Sequence, residues 1–329
     1  MGGKKVLFIV NPKSGKGLIK NHLLSIVDIF TQSGMEITLY TSQCEQDAVR
    51  IIRERVGEFE TVICSGGDGT LDEVITGMMQ CGQIRPVGYI PSGSTNDFAN
   101  SLKLPTSMKE AASDITLGEP FYCDIGSFNE DYFVYIAAFG IFTDVSYQTK
   151  QEMKNLLGHL AYVLEGARRI FNIKSYMLKM CYCEMNQETK EAKKETPSGS
   201  LECPESMDAE KVIEGEYIYG MITNSNSVGG FRDITGEHVE LDDGVFEVTL
   251  IHMPKNALEL QEIITCMLKK EMDSELIDTF KTSYLEIEAE EEIPWTLDGE
   301  YGGLHKGVKI VNHMQAVPII IKSLPDLIE

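Results

Sequence analysis

Gly66-Gly67-Asp68-Gly69-Thr70-Leu71-Asp72-Glu73-Val74 follows, after Ser65, on the apolar run Thr61-Val62-Ile63-Cys64. A run of strand length that ends in glycines and opens into an amphipathic stretch is the joint of a βαβ unit. Gly66, Gly67 and Gly69 remove the Cβ atoms that would hold a phosphate away from backbone N–H groups. A helix from Leu71 onward would turn the positive end of its dipole toward an anion. Asp68 would repel a phosphate unless a cation intervenes, which makes it a candidate for holding Mg²⁺ directly or through water, and Thr70 can donate its hydroxyl to a phosphate oxygen. A tight glycine turn with Asp68 as N-cap is the structural alternative.

Working outward, the spacing predicts strands near 5–10, 36–40, 61–64 and 86–90 and helices near 18–33, 45–56 and 71–80, the alternation of a parallel sheet covered by helices. Each strand ends in short polar chemistry: Asn11-Pro12-Lys13-Ser14-Gly15, Thr41-Ser42, the glycine run at 66–70, and Ser92-Gly93-Ser94-Thr95-Asn96-Asp97. In an open parallel sheet these ends line one edge, where ligands bind. No GxxxxGK[ST] or GxGxxG run occurs, so the residues alone indicate a nucleotide or phosphate binder and no more.

Beyond about residue 120 the pattern changes to period-two runs: Tyr132–Phe139, Ser175–Cys183, Tyr217–Thr223, Val245–Ile251, Tyr284–Ile287 and Val308–Val311. The fold class expected is α/β: a three-layer, parallel-sheet nucleotide-binding domain over 1–125, then an antiparallel β-sandwich over 126–314 that would take the substrate. Helices are expected at 154–171 and 255–270. Residues 186–215, rich in Glu, Lys, Ser and Pro, read as a mobile surface loop. The late apolar run Val317–Ile321 is expected to bring 315–329 back to the first domain.

Composition narrows the function. The 329 residues are 43% hydrophobic and 24% charged, the figures of a globular chain, and a net charge of −22 argues against nucleic acid as a partner. Eight scattered cysteines without a CxxC pair read as reduced, buried thiols. The first apolar run is too short for a signal peptide and no stretch approaches the roughly 20 apolar residues of a spanning helix. The expectation is a cytoplasmic protein that meets membrane only at its surface.

Taken together, NPKSGKG at 11–17, GGDGTLDEV at 66–74 and PSGSTNDFA at 91–99 resemble the bacterial diacylglycerol kinase and related lipid kinase family, which shares its catalytic core with sphingosine and ceramide kinases. Asp124-Ile125-Gly126, LGHLAYVLEGAR at 157–168, LDDGVFEV at 241–248 and LDGE at 297–300 extend the resemblance over nearly the whole chain apart from 186–215. GGDGT alone also occurs in NAD kinases and, in related form, in phosphofructokinases, whose nucleotide-binding fold the first domain would share.

The resemblance implies ATP as phosphoryl donor, contacted by Asn11, Pro12, Lys13, Ser14, Gly15, Thr41, Gly66, Gly67, Asp68, Gly69, Thr70, Leu71, Asp72, Glu73, Ser94, Thr95 and Asn96. Asp97 and Asp124 would support the nucleotide and metal region. Glu300, with Asp298 beside it, would be the proton acceptor, which agrees with the chemistry: a lipid hydroxyl is a poor nucleophile until a carboxylate within reach takes its proton. An Asp-Gly hairpin turn explains the same residues structurally. The family also implies Mg²⁺ at Asp243 with the backbone carbonyls of Glu240 and Val245, although a turn accounts for Asp243-Gly244 as well. Asp72 departs from the Asn many members carry and adds charge near the phosphates.

A lipid substrate has to be met at a bilayer, and Lys154, Arg168, Arg169 and Lys174 edge an apolar stripe over 154–174 that suits transient, salt-sensitive contact with the inner membrane face. A core-facing helix with a solvated side is the plainer account. A homodimer is compatible with the sequence. The functional readings are an ATP-dependent lipid kinase of phospholipid metabolism, a NAD kinase-like phosphotransferase, or a non-catalytic nucleotide or lipid sensor. A NAD kinase shares the glycine loop but is not expected to show the NPKSG and STNDFA loops with the LDGE strand.

Overall fold

Strands whose residues are apolar on both faces are buried on both faces, and β1 (Lys4–Val10) illustrates this: Val6 through Val10 are all buried. A computed structural model describes residues 3–141, 174–184, 210–225, 227–228, 231–232, 239–269 and 272–322. The chain divides into two compact units, one formed by Met1–Cys123 with Gln315–Glu329, the other by Asp124–Met314.

In the first unit, α1 (Ile19–Gln32), β2 (Met35–Thr41), α2 (Asp47–Arg55), β3 (Thr61–Gly66), α3 (Asp68–Cys81) and β4 (Val87–Pro91) follow in turn. β1 pairs in parallel with β2 and β3, and β3 with β4. Two short helices, α4 (Asp97–Ser101) and α5 (Met108–Leu117), complete the helical set. Val6, Phe8 and Val10 face a cluster built with Ile26 and Phe30 of α1 and Ala112 and Ile115 of α5. Phe8 and Phe30 meet edge to face at 5.7 Å. The intervening Leu7 and Ile9 are buried on the other side of the sheet, so the unit has helix, sheet and helix layers. The sheet gains a further parallel strand where Ile319 pairs with Val87.

The second unit is antiparallel and strand-rich. It holds the later part of β5 (Glu119–Phe128), β6 (Asp131–Phe133), β7 (Ile136–Gly140), β8 (Tyr176–Glu184), β9 (Glu210–Thr223), the two-residue ladder of β10 (Ser227–Val228) and β11 (Phe231–Arg232), β12 (Phe246–His252), α6 (Ala257–Lys269), β13 (Ile277–Leu297) and most of β14 (Glu300–Ile321). β13 serves as the spine, pairing antiparallel with β7, β8, β12 and β14. Trp295 lies at the centre of the core, 1% exposed, with Phe128 and Phe139 rings 5.0 and 4.9 Å away.

The parallel-then-antiparallel reading of the sequence is borne out, with local differences. Helix α3 starts at Asp68, three residues before the expected Leu71, because Gly67 serves as its N-cap. The expected loop 186–215 is corrected at its end: Lys211, Val212 and Ile213 pair with Tyr182, Cys181 and Met180, and Ile213 packs on the core. One apolar residue at the right register outweighs the charged neighbours, which take the exposed positions. The expected strand Tyr132–Phe139 is broken at Val134-Tyr135, for a reason that belongs to the site. Residues 186–209 and the helix expected at 154–171 lie outside the described residues, as does the stripe of 154–174 except for Lys174.

Candidate active site

The strand-end loops of the first unit hold one another through backbone. Asn11 donates its N–H to Ser65 O at 2.8 Å and its Nδ2 to Thr70 Oγ1 at 3.1 Å, while its Oδ1 accepts from Lys13 N at 3.0 Å. One amide thus ties the first loop to the glycine run. Ser92 N donates to Gly66 O at 2.8 Å, which brings the fourth loop to the same place. A Cβ on Gly93 would stand 2.5 Å from Gly67 Cα, so the two loops touch through glycine alone. A Cβ on Gly15, which sits at φ +53°, would stand 2.4 Å from Ser92 O. These glycines therefore let the loops approach one another; of the three, only Gly67 is among those the sequence reading set aside for phosphate approach. Thr41 pairs with Val10 at the adjoining strand end, and its carbonyl and hydroxyl accept from Gln43 Nε2.

Asp68 accepts from Asp97 N at 3.1 Å and Phe98 N at 3.3 Å, the first N–H groups of α4. Asp97 is itself 1% exposed. Tyr89, buried beneath the loops, has its phenol pushed up by burial first and then by nearby charges that include Asp68 and Asp97. Two carboxylates beside a helix N-terminus suit a hard cation that itself carries phosphate oxygens. Asn96, at φ 53°, closes the fourth loop by bonding Gly93 N and O at 2.9 and 3.0 Å. Ser94 is exposed and Thr95 half-buried on the same loop. Leu71 is buried in the core and offers a ligand only its backbone. Asp72 accepts from Thr76 Oγ1 at 3.3 Å along its own helix. Glu73 is committed elsewhere, accepting Gln46 N and Ala48 N at 3.0 Å and so capping α2, with burial pushing its carboxyl up.

The second unit holds the other expected residues. Asp298, 5% exposed and at φ 50°, receives three consecutive backbone N–H groups: Val134 at 2.6 Å, Tyr135 at 2.9 Å and Ile136 at 3.0 Å. This is why the run 132–139 is not one strand, since those N–H groups leave the ladder for a carboxylate. The pair Asp298 and Glu300 accordingly divides in role. Asp298 anchors the turn, and Glu300, two residues on, is exposed.

Asp124 is fully buried and clamps the 241–244 turn, giving its N–H to Leu241 O at 2.8 Å and taking Gly244 N on Oδ2 at 2.6 Å. Asp243 accepts from Val245 N at 3.2 Å, and Glu240 is exposed. Asn224, which sequence reasoning missed, joins the two places: its N–H reaches Tyr135 O at 2.9 Å and its Nδ2 reaches Asp124 O at 3.0 Å. A continuous hydrogen-bonded path thus runs from Asp298 through Tyr135 and Asn224 to Asp124 and the Asp243 turn. The only signal in sequence was a polar residue ending a buried strand. Also missed was Glu247, whose carboxyl is pushed up to about 7, first by burial, although Lys281 stands 2.8 Å away. Asp243 adds to that shift, so its charge is close enough to oppose ionisation of Glu247.

With the geometry in hand, comparison defines the class. Residues 5–128 match the diacylglycerol kinase catalytic domain. A diacylglycerol kinase of Bacillus subtilis (strain 168) is 31% identical over 320 residues, covering 95% of this chain and 96% of its own length. One of Staphylococcus carnosus (strain TM300) is 30% identical over 302 residues, covering 91% and 90%. A crystal structure from Bacillus anthracis str. Sterne superposes over the whole of both chains with a TM-score of 0.75 at 25% identity. Another from that organism, described as a diacylglycerol kinase, has the same fold, with a TM-score of 0.69 at 22% identity over the whole of both chains. The fold and loops are those of a phosphotransferase acting on a lipid, with ATP-dependent transfer as the general reaction. The chain belongs to the diacylglycerol kinase family. No helix among the described residues is long and apolar enough to cross a membrane.

Proposed function

We propose that the chain transfers the γ-phosphate of ATP to the hydroxyl of diacylglycerol or a closely related lipid alcohol, with Glu300 accepting the hydroxyl proton. The observation that carries this reading is the correspondence of nearly the whole chain to kinases named for that substrate, together with loops tied by Asn11, Gly67 and Gly93 around the N-terminus of α3. The first N–H groups of a helix have no partner within it, and together with the dipole they favour the β- and γ-phosphates. Asn11 to Gly15, Thr41, the 66–70 run and Ser94 to Asn96 line that end of the unit.

Mg²⁺, when bound, would neutralise phosphate charge; Asp68 and Asp97 are the residues that would hold it near the nucleotide, and Asp243 with the carbonyls of Glu240 and Val245 a second ion in the other unit. Asp298 fixes the LDGE turn so that Glu300 is presented from a rigid hairpin. The Asp298–Asn224–Asp124 path keeps that hairpin in register with the Asp243 turn. Nucleotide binding belongs to the first unit and lipid binding to the second, and the setting is the inner face of a membrane.

The test uses radiolabelled ATP with diacylglycerol, a sphingoid base, a polyprenol and NAD in parallel. Label in diacylglycerol supports the reading, whereas label in NAD alone would replace it with the NAD kinase alternative.

A further inference from the structure

Asn224 closes the hydrogen-bonded path from Asp298 to the Asp243 turn, yet only half of its side-chain amide is used in doing so. The residue is wholly buried. It follows Thr223, which pairs with Ile136 on one side and Glu247 on the other, so the amide leaves the end of β9 between β7 and the start of β12. Nδ2 donates to Asp124 O at 3.0 Å, and Asp124 holds the 241–244 turn through Leu241 O and Gly244 N. Oδ1 is enclosed as fully and has no hydrogen-bond partner among the described residues.

Chemistry fixes which way that oxygen looks. Exchanging the amide's oxygen and nitrogen would set Oδ1 against the carbonyl oxygen of Asp124, two acceptors with no proton between them. Oδ1 therefore points away from Asp124 O, and an enclosed acceptor of this kind calls for a donor, a water or an ion. The nearby turn has little to donate: the N–H of Gly244 goes to Asp124 Oδ2 at 2.6 Å and that of Val245 to Asp243 Oδ1 at 3.2 Å. What the turn does supply is carboxylate, in Asp124 and Asp243, which are both buried. No three His, Cys, Asp or Glu side chains converge as metal ligands among the described residues, so a cation at this turn has to be completed by carbonyl and amide oxygens. Mg²⁺ takes oxygen ligands and keeps several of its waters, and a neutral amide oxygen fits a water on the ion.

We infer that Asn224 Oδ1 is a further oxygen of the divalent-cation site at the Asp243 turn, accepting from a water the ion carries while Nδ2 keeps the amide oriented. The inference rests on the proposed reading of Asp243 as the holder of a second ion. Asn224 is thereby a positioning residue, since it ties the end of β9 to the ion without binding the metal itself. Removing a partner of this kind commonly weakens metal affinity by about 10–100-fold.

The experiment follows denaturant unfolding of the full chain by the fluorescence of Trp295, the one tryptophan and a residue of the unit that holds the turn, across a MgCl₂ series begun in EDTA at constant ionic strength. Wild type should gain stability as Mg²⁺ rises. Asn224→Ala, whatever its stability in EDTA, should need about tenfold more Mg²⁺ for the same gain. Asn224→Asp keeps an acceptor in place and loses the donor to Asp124 O, so it should be less stable than wild type in EDTA and gain at least as much from Mg²⁺. It also decides the matter if the alanine variant does not fold. An Mg²⁺ dependence in Asn224→Ala equal to that of wild type, or a lost response in Asn224→Asp, would overturn the inference and leave Oδ1 to an ordinary buried water. Asp243→Asn separates this from the reading it rests on: that variant should lose the gain, whereas a gain like that of wild type, or no gain in wild type itself, would remove the second ion and the inference with it.

Discussion

Replacing Asp298 by Asn tests how the hairpin that presents Glu300 is held. The side chains are nearly isosteric, and Asn tolerates the left-handed backbone that Asp298 adopts at φ 50°, so shape and backbone strain are kept nearly constant. What changes is the acceptor inventory. The carboxylate takes Tyr135 and Ile136 on Oδ1 and Val134 on Oδ2. The amide oxygen can keep the two-donor side, which leaves the new NH₂ facing the N–H of Val134. One charge-assisted bond is then lost, costing about 1.5–3 kcal/mol, and a buried donor is left without an acceptor, costing about 1–3 kcal/mol more. The expected loss is about 3–5 kcal/mol for the second unit. Denaturant unfolding followed by Trp295 fluorescence reads that unit alone, since the only tryptophan in the chain lies in its core. A loss below about 1 kcal/mol, well under the cost of stranding one buried donor, would refute the anchoring role.

Gly93→Ala should raise the KM for ATP and lower the melting temperature, because a Cβ there stands 2.5 Å from Gly67 Cα; unchanged nucleotide affinity would show that the loops need no such approach. Asn224→Ala removes the donor to Asp124 O and should cost about 1–3 kcal/mol of second-unit stability; a neutral result in the same fluorescence assay would break the proposed path. His313 is half-buried with its Nε2 enclosed and unpartnered among the described residues, and burial lowers its pKa below the ordinary 6.5. The unfolded chain therefore takes up the proton first as pH falls through about 6.5, so His313 stabilises the fold above that pH and the contribution is lost below it. Measured from pH 8 to 5, His313→Gln should decline in stability less than wild type, and parallel profiles would contradict the assignment.

Much of the first unit was legible because parallel strands buried on both faces leave long apolar runs and their loops must end in glycine or short polar residues. What escaped was the division of labour among those residues. Glu73 read as a ligand contact, yet its carboxylate accepts the backbone N–H groups of Gln46 and Ala48 at the start of α2, and Asp68, read as a metal holder, also takes the first two N–H groups of α4. Helix α5 was missed despite the Ser107-x-x-Glu110 start signal, with Ser107 Oγ accepting Glu110 N at 3.5 Å. In the second unit, periodicity gave the strands but not the break after Phe133, since a run of alternating residues carries no mark of a carboxylate supplied from position 298. The Asn224 link was illegible for the same reason: its partners are 89 and 100 positions away, Tyr135 and Asp124.

The reaction assigned to the chain is tested most directly by following γ-labelled phosphate from ATP into diacylglycerol with wild type and with Glu300→Gln. The expected result is labelled phospholipid from wild type and a kcat lower by about 10²–10⁴ in the variant, with the KM for ATP little changed. Equal turnover by the two proteins, or no labelled lipid from either, would contradict the account.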